Sequence, residues 1–384
     1  MKIFIVAGEE SGDLHASNLI RELKKIEPTV QIHGLGGERM RSAGVNLLHN
    51  IVEHAVVGFW EVVKNYSYFR RVMFDCVRWI EANKPDAVIL VDYPGFNLRL
   101  AERIHHLNIP ILYYISPQVW AWGKGRIPEI AKLVSKMILI LPFERETYAE
   151  TNLKTEFVGH PLLDVIKVNK SKEKLCLENH LNPESPIITM LPGSRQHELQ
   201  LHLPIILEAG RRMKNEIPEL QFVLLLIHSK YQSFAEDTIA KSGLPVTIVL
   251  YEKYDWRAAS DLTIVKSGTS TLETAIIGTP MIILYQVSFF TYIFARWMIK
   301  LPYIGLANLV AGKKVVPEIV QYDLTPENLS TTAISLLKDK SKLQEIRSEL
   351  ALVKSKLGQP GASSRAAQSI INFLNNKQNP NLSS

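Results

Sequence analysis

Cysteine is scarce in this chain, which has only two among its 384 residues, Cys76 and Cys176. They lie far apart and have neither CxxC nor metal-ligand spacing, so they predict no disulfide framework and no zinc site. Two free thiols fit a reduced compartment such as the cytoplasm. The amino terminus has a single lysine and a short apolar run, 3–7, before Gly8. That run is far shorter than the apolar region of a signal peptide, so export by that route is not expected.

Long apolar runs are also missing. The most apolar stretch, 275–299, falls short of what a membrane span needs. It is interrupted by Gly278, Thr279, Pro280, Gln286 and Arg296. This stretch predicts a buried strand followed by an amphipathic helix.

Several nucleotide and metal motifs are absent. The run that begins at Gly34 has Arg39 where a dinucleotide fingerprint needs its third glycine, and no P-loop motif occurs. NAD and P-loop functions are therefore excluded. No Asp-x-Asp occurs either, so the metal-carrying carboxylate pair of one glycosyltransferase class is missing. We expect neither a cofactor nor a metal.

Composition indicates an ordinary folded protein, with 46% hydrophobic and 21% charged residues in a length that suits two domains. The formal net charge of +6 favours anionic ligands such as phosphates, nucleic acid or acidic lipid head groups. Nucleic acid is the weakest of these, because lysine and arginine are dispersed rather than clustered on one motif.

Short β-rich runs alternate with helical patterns, which predicts parallel βαβ units and an α/β fold. The interpretation divides the chain into an N-terminal Rossmann-like domain (1–165), a linker (166–186), a C-terminal Rossmann-like domain (187–350), and a C-terminal helix with a frayed tail (351–384). The predicted strands are 2–7, 31–35, 87–91, 111–115, 136–140, 155–158, 187–191, 221–225, 247–249, 262–264 and 281–285.

Two loops of the first domain carry carboxylates at strand ends, where ligands collect in open parallel sheets. The loop after 2–7 contains Glu9, Ser11, Gly12 and Asp13, and its alternative interpretation is helix capping by Ser11 or Asp13. The strand 87–91 leads into Asp92, a candidate general base. Asp92 has the alternative of capping the next helix.

Two turns of the second domain suit phosphate. The run 191–195 ends in Arg195 before a helix, where backbone N–H groups and a guanidinium can bind a phosphate. The alternative for Arg195 is a structural bridge between the domains. The turn with Ser267, Gly268 and Thr269 can take a diphosphate while Glu273 accepts ribose hydroxyl protons. A plain helix N-cap is the alternative there.

Clustered aromatic side chains combine with basic ones at helical spacing over 58–71, which suits an anionic bilayer or acyl chains, although aromatic stripes are more often core. The residues of interest are Phe59, Trp60, Val63, Tyr66, Phe69, Arg70 and Arg71.

Two Rossmann-like domains with phosphate turns mainly in the second describe the glycosyltransferase B fold. The successive motifs resemble the signatures of the lipid-A-disaccharide synthase family over nearly the whole chain. They are Val6 to Asp13, Ser116-Pro117-Gln118-Val119-Trp120-Ala121-Trp122, Leu191 to Arg195, Ser267 to Glu273 and Asn308 to Gly312.

The resemblance implies a UDP-2,3-diacylglucosamine donor, a 2,3-diacylglucosamine 1-phosphate acceptor, and a β-1,6-linked product made by one inverting displacement without a metal. It implies that Asp92 and Glu9 are catalytic carboxylates, with Asp92 the candidate general base and Glu9 the alternative. It assigns positions needed for activity or UDP binding to Glu9, Arg195, Glu273 and Asn308, and a membrane-facing patch to 60–71. It also implies a peripheral protein on the cytoplasmic face of the inner membrane, and it allows a homodimer through the C-terminal helices.

The chain departs from the family pattern at two positions that bear on chemistry. Gly95 stands where the family often has a second aspartate, which weakens a two-carboxylate mechanism. Gln286 stands where a basic residue is usual, which removes one expected phosphate contact. The alternatives are another UDP-sugar enzyme of this fold, such as a UDP-GlcNAc 2-epimerase, or a membrane-bound UDP-sugar binder without turnover.

Overall fold

The structure of the chain is a computed structural model that describes residues 1–52, 66–121, 123–287 and 301–378. The chain forms two compact units, each built on its own sheet. Unit 1 contains residues 1–164 and 358–384, and unit 2 contains residues 165–357.

Unit 1 has a seven-stranded sheet in the order β3-β2-β1-β4-β5-β6-β7, and every neighbouring pair is parallel. Its central strands are near-continuous apolar runs because both faces of a parallel sheet are covered by helices. All five residues of 87–91 are fully buried, for example. The strands are β1 Lys2–Ala7, β2 Gln31–Gly36, β3 Asn46–Asn50, β4 Ala87–Val91, β5 Ile111–Tyr114, β6 Lys136–Leu139 and β7 Lys154–Phe157.

The helices along the first part of the chain alternate with these strands, as βαβ units require. They are α1 Glu10–Ile26, α2 Glu38–Ser42, α3 Tyr66–Asn83, α4 Pro94–Ile104, α5 Ile127–Leu133, α6 Glu144–Thr147 and α7 Leu162–Val165.

Unit 2 has a six-stranded, all-parallel sheet in the order β10-β9-β8-β11-β12-β13. Its strands are β8 Ile187–Leu191, β9 Gln221–Leu225, β10 Thr247–Val249, β11 Leu262–Lys266, β12 Met281–Tyr285 and β13 Glu318–Val320. Among the residues that the structure describes, its helices are α8 Lys172–Glu178, α9 Gln196–Glu216, α10 Gln232–Ser242, α11 Lys253–Ala259, α12 Thr269–Ile277, α13 Leu306–Ala311, α14 Pro326–Lys338 and α15 Lys340–Lys356.

The last helix, α16 Ala362–Gln378, belongs to unit 1 and packs against α1. Its first turn is fixed by Asp164, whose carboxylate accepts the backbone N–H of Gly361 at 2.5 Å. Farther along, Arg365 donates to the carbonyl of Val158 at 2.8 Å. The C-terminal helix therefore completes the unit in which the chain began.

The observed elements agree with the predicted α/β architecture and add two strands, β3 and β13. Both lie at the edges of their sheets. The residues predicted as a linker contain α8 and belong to unit 2. The apolar stretch 275–299 begins with the last residues of α12 and contains the strand 281–285, as predicted. The predicted amphipathic helix falls largely on 288–299, which lie outside the described residues. No helix in the described part of the chain is long and apolar enough to cross a membrane.

Candidate functional site

The strand order of unit 1 reverses direction between β1 and β4, which makes their carboxyl ends the switch point of the sheet. Ala7 and Val91 are paired in register, so the loops that begin at Gly8 and Asp92 leave the sheet side by side. Ligands of open α/β sheets bind at this position. The two carboxylates predicted for catalysis, Glu9 and Asp92, therefore share one loop cluster.

Asp92 has an unusual backbone and a perturbed carboxyl group. Its φ of 45° and that of Tyr93, 47°, lie in the left-handed region that non-glycine residues seldom adopt. Burial, reinforced by the negative charge of Glu9, raises the pKa of Asp92 to about 6. A carboxylate with a pKa nearer neutrality is a stronger base than an ordinary aspartate and is still ionised at pH 7.

The ring of Tyr93 lies against Gly8 and joins the two loops. A Cβ atom at position 8 would stand 2.1 Å from the ring, so only glycine fits there. Tyr93 precedes α4 without capping it through its side chain. Burial, with the charge of Glu9, raises the pKa of the Tyr93 hydroxyl. Both loops of the switch point are thus held in one arrangement.

The predicted site residues in the loop after β1 differ in their exposure to solvent. Glu9 is half-buried and Ser11 is exposed, whereas Gly12 and Asp13 are buried. The carboxylate of Asp13 accepts backbone N–H groups from Gly37 at 2.8 Å, Arg39 at 3.1 Å and Met40 at 3.1 Å. Asp13 caps the short helix α2, and a substrate-binding role for it stays a prediction.

The tryptophan-rich motif follows β5, directly beside Asp92. Ile115, the residue directly before the motif, has a φ of 67°, which is costly for a β-branched side chain. The Ser116 hydroxyl shares a 2.8 Å hydrogen bond with the hydroxyl of Tyr148, and Trp120 packs edge-on against Phe143 at 5.0 Å. Trp120, the first tryptophan of the motif, is buried. Trp122 lies outside the described residues.

A buried carboxyl group that the sequence did not single out stands near this motif. Glu144 accepts the backbone N–H groups of Leu141 at 2.9 Å and Ile140 at 3.2 Å. Burial raises its pKa to about 7 despite these bonds, and the charge of Asp92 contributes to the rise. Unit 1 therefore gathers three carboxyl groups around one end of its sheet.

The second sheet has its own switch point between β8 and β11, where Leu191 is paired with Val265. Lys266 is the last residue of β11, and Arg195 follows the end of β8 by four residues. Lys266 forms a 2.8 Å ion pair with Glu198, and Arg195 lies 3.8 Å from the same carboxylate. The side chain of Arg195 is 45% exposed. The predicted phosphate turn therefore carries two cations.

The backbone amides of this turn are engaged rather than free. Glu198 accepts the N–H of Ser194 at 2.8 Å and of Arg195 at 3.3 Å. Although burial opposes ionisation, Lys266 together with these contacts holds the pKa of Glu198 below its usual value. The Glu198 carboxylate already occupies these amides, and binding of a phosphate by Arg195 stays a prediction.

His202 ties the same turn to the neighbouring strand. Its Nδ1 lies 2.9 Å from the carbonyl of Pro192, and its Nε2 accepts the backbone N–H of Gln286 at 3.2 Å. These partners require the neutral ring with its proton on Nδ1. Burial lowers the pKa of His202, which agrees with that form. Gln286 takes part here through its backbone.

The turn that opens α12 is partly open to solvent. Ser267 is half-buried and donates its hydroxyl to the carbonyl of Ile304 at 2.9 Å. Gly268, with a φ of 156°, and Thr269 are exposed. The start of α12 is therefore open to solvent, and binding of a diphosphate by its first amides stays a prediction.

Glu273 is buried in an ionic cluster. Arg257, a fully buried residue, donates to it at 2.7 Å, and the Tyr254 hydroxyl and the Lys253 ammonium lie 3.2 and 3.4 Å away. Burial alone would raise the pKa of Glu273, but Arg257 and Lys253 hold it below its usual value. Nε and Nη2 of Arg257 have no hydrogen-bond partner among the described residues. Binding of ribose by Glu273 would compete with this ion pair and stays a prediction.

Asn308 is fully buried and its amide is fully used. It donates to the carbonyl of Val316 and to Glu318, both at 2.9 Å, and accepts the N–H groups of Val315 and Val316 at 2.8 and 3.0 Å. Glu318 in turn accepts the backbone N–H of Gly305 at 3.0 Å. Asn308 therefore fixes the loop beside Ser267, and direct binding of UDP by it stays a prediction.

Helix α3 carries the described part of the predicted membrane patch. Phe69 is half-buried and packs against the core of unit 1, whereas Arg70 and Arg71 are exposed. Phe59, Trp60 and Val63 lie outside the described residues, and the side chain of Tyr66 is not described. The sequence did not single out Phe74, which is 60% exposed with the Arg78 guanidinium 5.2 Å above its ring.

The family model described as "Lipid-A-disaccharide synthetase" matches residues 3–372. The chain belongs to the lipid-A-disaccharide synthetase family. Its function is therefore that of a glycosyltransferase that forms the lipid A disaccharide. This confirms the family suggested by the motif order.

Relatives named lipid-A-disaccharide synthase align over almost their whole length. The one from Syntrophus aciditrophicus is 41% identical over 97% of both chains. That from Nitrosococcus oceani is 40% identical over 97% of this chain and 96% of its own. The Geobacter sulfurreducens relative is 39% identical over 97% of both.

Solved structures of other enzymes share the architecture of this synthetase. UDP-GlcNAc 2-epimerase from Neisseria meningitidis, bound to UDP-GlcNAc, has a TM-score of 0.67 at 13% identity over 97% of this chain and all of that one. The calicheamicin glycosyltransferase CalG4 has a TM-score of 0.62 at 13% identity over 100% and 99%. Identities this low show the fold alone, which confirms the predicted glycosyltransferase B architecture.

Position 95 of this synthetase is a glycine with room for a side chain. Gly95 is exposed, and an added Cβ would meet no atom within 4 Å. The space for a second carboxylate therefore exists here without being used. Glu9 is the carboxylate whose charge reaches Asp92 instead.

Several residues that shape the site carry no motif signal of their own. Glu198 could have been found from its place three residues after Arg195, the spacing of a capping carboxylate. Lys266 directly precedes the predicted turn at Ser267. The partners of buried groups become visible only in the folded chain, because distant segments supply them: Asn97, Tyr113, Glu144, His202 and Arg257.

Replacing Gly193 by alanine is expected to destabilise unit 2 by about 1–3 kcal/mol. Its φ is 140°, and a Cβ would stand 2.5 Å from both Cβ and Oε2 of Glu198. Gly268→Ala is the matched control, since its φ is 156° but its Cβ would meet open space. Urea unfolding monitored by circular dichroism measures both variants. Equal losses would show that backbone strain, not the contact with Glu198, sets the requirement at position 193.

Proposed function

We propose that this synthetase transfers 2,3-diacylglucosamine from UDP-2,3-diacylglucosamine to 2,3-diacylglucosamine 1-phosphate, giving the β-1,6-linked disaccharide 1-phosphate and UDP. The observation that carries the proposal is Asp92, a carboxylate at a sheet switch point with a pKa raised to about 6. In a glycosyltransferase that makes the lipid A disaccharide, one group must take the proton of the acceptor hydroxyl.

In the proposed reaction Asp92 removes the proton of the acceptor's 6-hydroxyl. The oxygen then forms a bond to the anomeric carbon of the donor while the bond from that carbon to the UDP oxygen breaks. Attack from the face opposite UDP converts an α-linked donor into a β product. The negative charge of Glu9 beside Asp92 strengthens it as a base.

The donor's UDP is expected on unit 2. Arg195 and Lys266 lie at its switch point and supply the positive charge that a departing diphosphate needs. The exposed first turn of α12, with Gly268 and Thr269, supplies backbone amides. No metal is assigned a role in this step.

Turnover is tested with purified protein and UDP-diacylglucosamine in mixed detergent micelles, with and without the acceptor and in the presence of EDTA. We expect UDP release that depends on the acceptor and persists in EDTA. Release without acceptor would indicate hydrolysis or another UDP-sugar reaction. UDP binding without release would favour a binder without turnover.

We also propose that the enzyme works as a peripheral protein on the cytoplasmic face of the inner membrane. Along α3, Arg70, Phe74 and Arg78 recur every four residues and therefore share one exposed face. Arg71 lies next to that face and is exposed. Basic residues with an exposed aromatic ring suit an anionic lipid surface. A homodimer remains a further prediction.

The double variant Arg70→Gln/Arg71→Gln is expected to bind anionic phospholipid vesicles about tenfold or more weakly, since each basic residue contributes about 1 kcal/mol near such a surface. Sedimentation with vesicles measures the binding. Arg211→Gln/Arg212→Gln is the matched control, because it removes the same charge from an exposed arginine pair on α9. Equal weakening by both variants would mean that overall charge, not α3, governs the association.

A further inference from the structure

The turn that carries Asp92 is held against its own backbone preference. Two consecutive non-glycine residues, Asp92 and Tyr93, have positive φ values of 45° and 47°. Such conformations persist only where surrounding contacts enforce them. The contacts that enforce this turn therefore decide where the Asp92 carboxylate lies.

Those contacts converge on the Asp92 peptide from two buried side chains. Asn97 Nδ2 donates to the Asp92 carbonyl at 2.7 Å and to the Val91 carbonyl at 3.2 Å. The Tyr113 hydroxyl donates to the same Asp92 carbonyl at 2.6 Å. Asn97 and Tyr113 are both fully buried. The Asp92 carbonyl thus receives two side-chain donors from different elements, α4 and β5.

The backbone adds a third tie on the other side of the residue. The N–H of Asp92 donates to the carbonyl of Tyr114 at 3.1 Å, which continues the ladder between β4 and β5. Only the turn beyond that bond is strained. The side chains of Asn97 and Tyr113 bind the carbonyl of Asp92, which lies in this strained turn. The hydrogen bonds between β4 and β5 need neither the Asn97 amide nor the Tyr113 hydroxyl.

We propose that Asn97 and Tyr113 are positioning residues for the transfer reaction: they hold the Asp92 peptide in its left-handed turn, which aims the carboxylate at the acceptor hydroxyl. The inference rests on the proposed role of Asp92 as the base. The same turn sets the ring of Tyr93 against Gly8, so its release would also change the spacing of Asp92 from the Glu9 loop.

Two conservative variants separate this role from a merely structural one. Tyr113→Phe keeps the ring and removes one donor. Asn97→Asp keeps the shape but sets a carboxylate against two carbonyl oxygens and adds negative charge near Asp92. The matched controls are Tyr114→Phe, which removes a buried hydroxyl from the same strand, and Asn108→Asp, which adds the same charge at an exposed site of unit 1.

The readouts are kcat, the KM for donor and acceptor, UDP affinity by calorimetry, the pH profile of kcat/KM and thermal melting, all on the full chain. For Tyr113→Phe we expect kcat to fall about tenfold to a hundredfold, because a small misplacement of a reacting group has that effect. The UDP affinity should stay within about twofold of the original, since unit 2 is untouched. For Asn97→Asp the acid limb should also move to higher pH. Both controls should match the unaltered chain.

Asp92→Asn is measured alongside to keep the two proposals apart. If Asp92→Asn is inactive while Tyr113→Phe and Asn97→Asp match the controls, the positioning role is wrong and the proposed base stands. If Asp92→Asn keeps full turnover, the proposed function of Asp92 is wrong. Losses that only track the fraction of folded protein, with an unmoved pH profile, would equally overturn the positioning role.

Discussion

Asp92→Asn is expected to lower kcat by about a hundredfold to ten-thousandfold, the usual contribution of a general base. The asparagine keeps the shape of the side chain but cannot accept the proton of the acceptor hydroxyl. UDP affinity should change little, because the proposed UDP contacts belong to the other unit. Single-turnover rates and calorimetric titration with UDP measure the two quantities separately.

The same substitution is expected to stabilise the fold at neutral pH. The pKa of Asp92 in the folded chain is about 6, above the value near ~3.9 of an unfolded aspartate. Its contribution to stability is therefore complete below about pH 4 and is lost as the pH rises through about 6. At pH 7 the loss is at most about 3 kcal/mol, at about 1.4 kcal/mol per pKa unit. The asparagine side chain of the variant does not ionise and avoids this loss.

A melting series from pH 4 to pH 8 checks the sign. The melting temperature of the Asp92→Asn variant, relative to that of the original chain, should rise with pH. The difference should vanish near pH 4. Asp86→Asn is a control in the same unit, because Asp86 precedes β4 and accepts the backbone N–H of Lys2 at 2.7 Å. A variant at position 92 that is both inactive and less stable at every pH would make Asp92 a structural residue.

Glu273→Gln is expected to lower the free energy of unfolding by about 3–5 kcal/mol, as the loss of one partner of a buried ion pair usually does. The change leaves the guanidinium of Arg257 fully buried without its carboxylate. Because the pKa of Glu273 lies below its usual value, its contribution is present above about pH 4 and is lost at lower pH. Urea unfolding at pH 7 and at about pH 3 measures both effects.

Two comparisons sharpen this test. Glu208→Gln removes a carboxylate from exposed ion pairs with Arg211 and Arg212 and should change stability by less than about 1 kcal/mol. Pairing Glu273→Leu with Arg257→Met should recover part of the loss, since the buried charge is then absent. If Glu273→Gln leaves stability intact but weakens UDP binding, Glu273 serves the nucleotide rather than the fold.

Most of the strand framework could be predicted because buried parallel strands have a simple signature. Six strands, from 2–7 to 281–285, have the bounds expected from runs of β-branched and apolar residues. The strand Asn46–Asn50 was missed because polar residues occupy both of its ends and it lies at a sheet edge. Glu318–Val320 is an edge strand of only three residues, too short to give a pattern.

The sequence predicts those residues of the candidate site that directly follow a strand. Glu9, Asp92, Arg195 and the turn at Ser267 all follow strands that the pattern locates, so the switch points collect them. Two other predicted residues bind backbone groups elsewhere in the chain. Asp13 accepts the N–H of Gly37, 24 positions away, and Asn308 accepts that of Val315, 7 positions away. Which hydrogen bonds a buried polar side chain makes depends on the folded neighbours, and a single sequence does not reveal them.

The pH profile of kcat/KM for the Glu9→Gln variant tests the central claim, that Asp92 is the base and Glu9 its electrostatic neighbour. The acceptor phosphate itself titrates near ~6, so the acid limb of the original chain alone does not identify the group. Removing the charge of Glu9 lowers the pKa of Asp92 but not that of the phosphate. We expect the Glu9→Gln variant to retain measurable turnover, with an acid limb at lower pH. A variant without turnover, or one with an unmoved limb, would contradict these roles of Asp92 and Glu9.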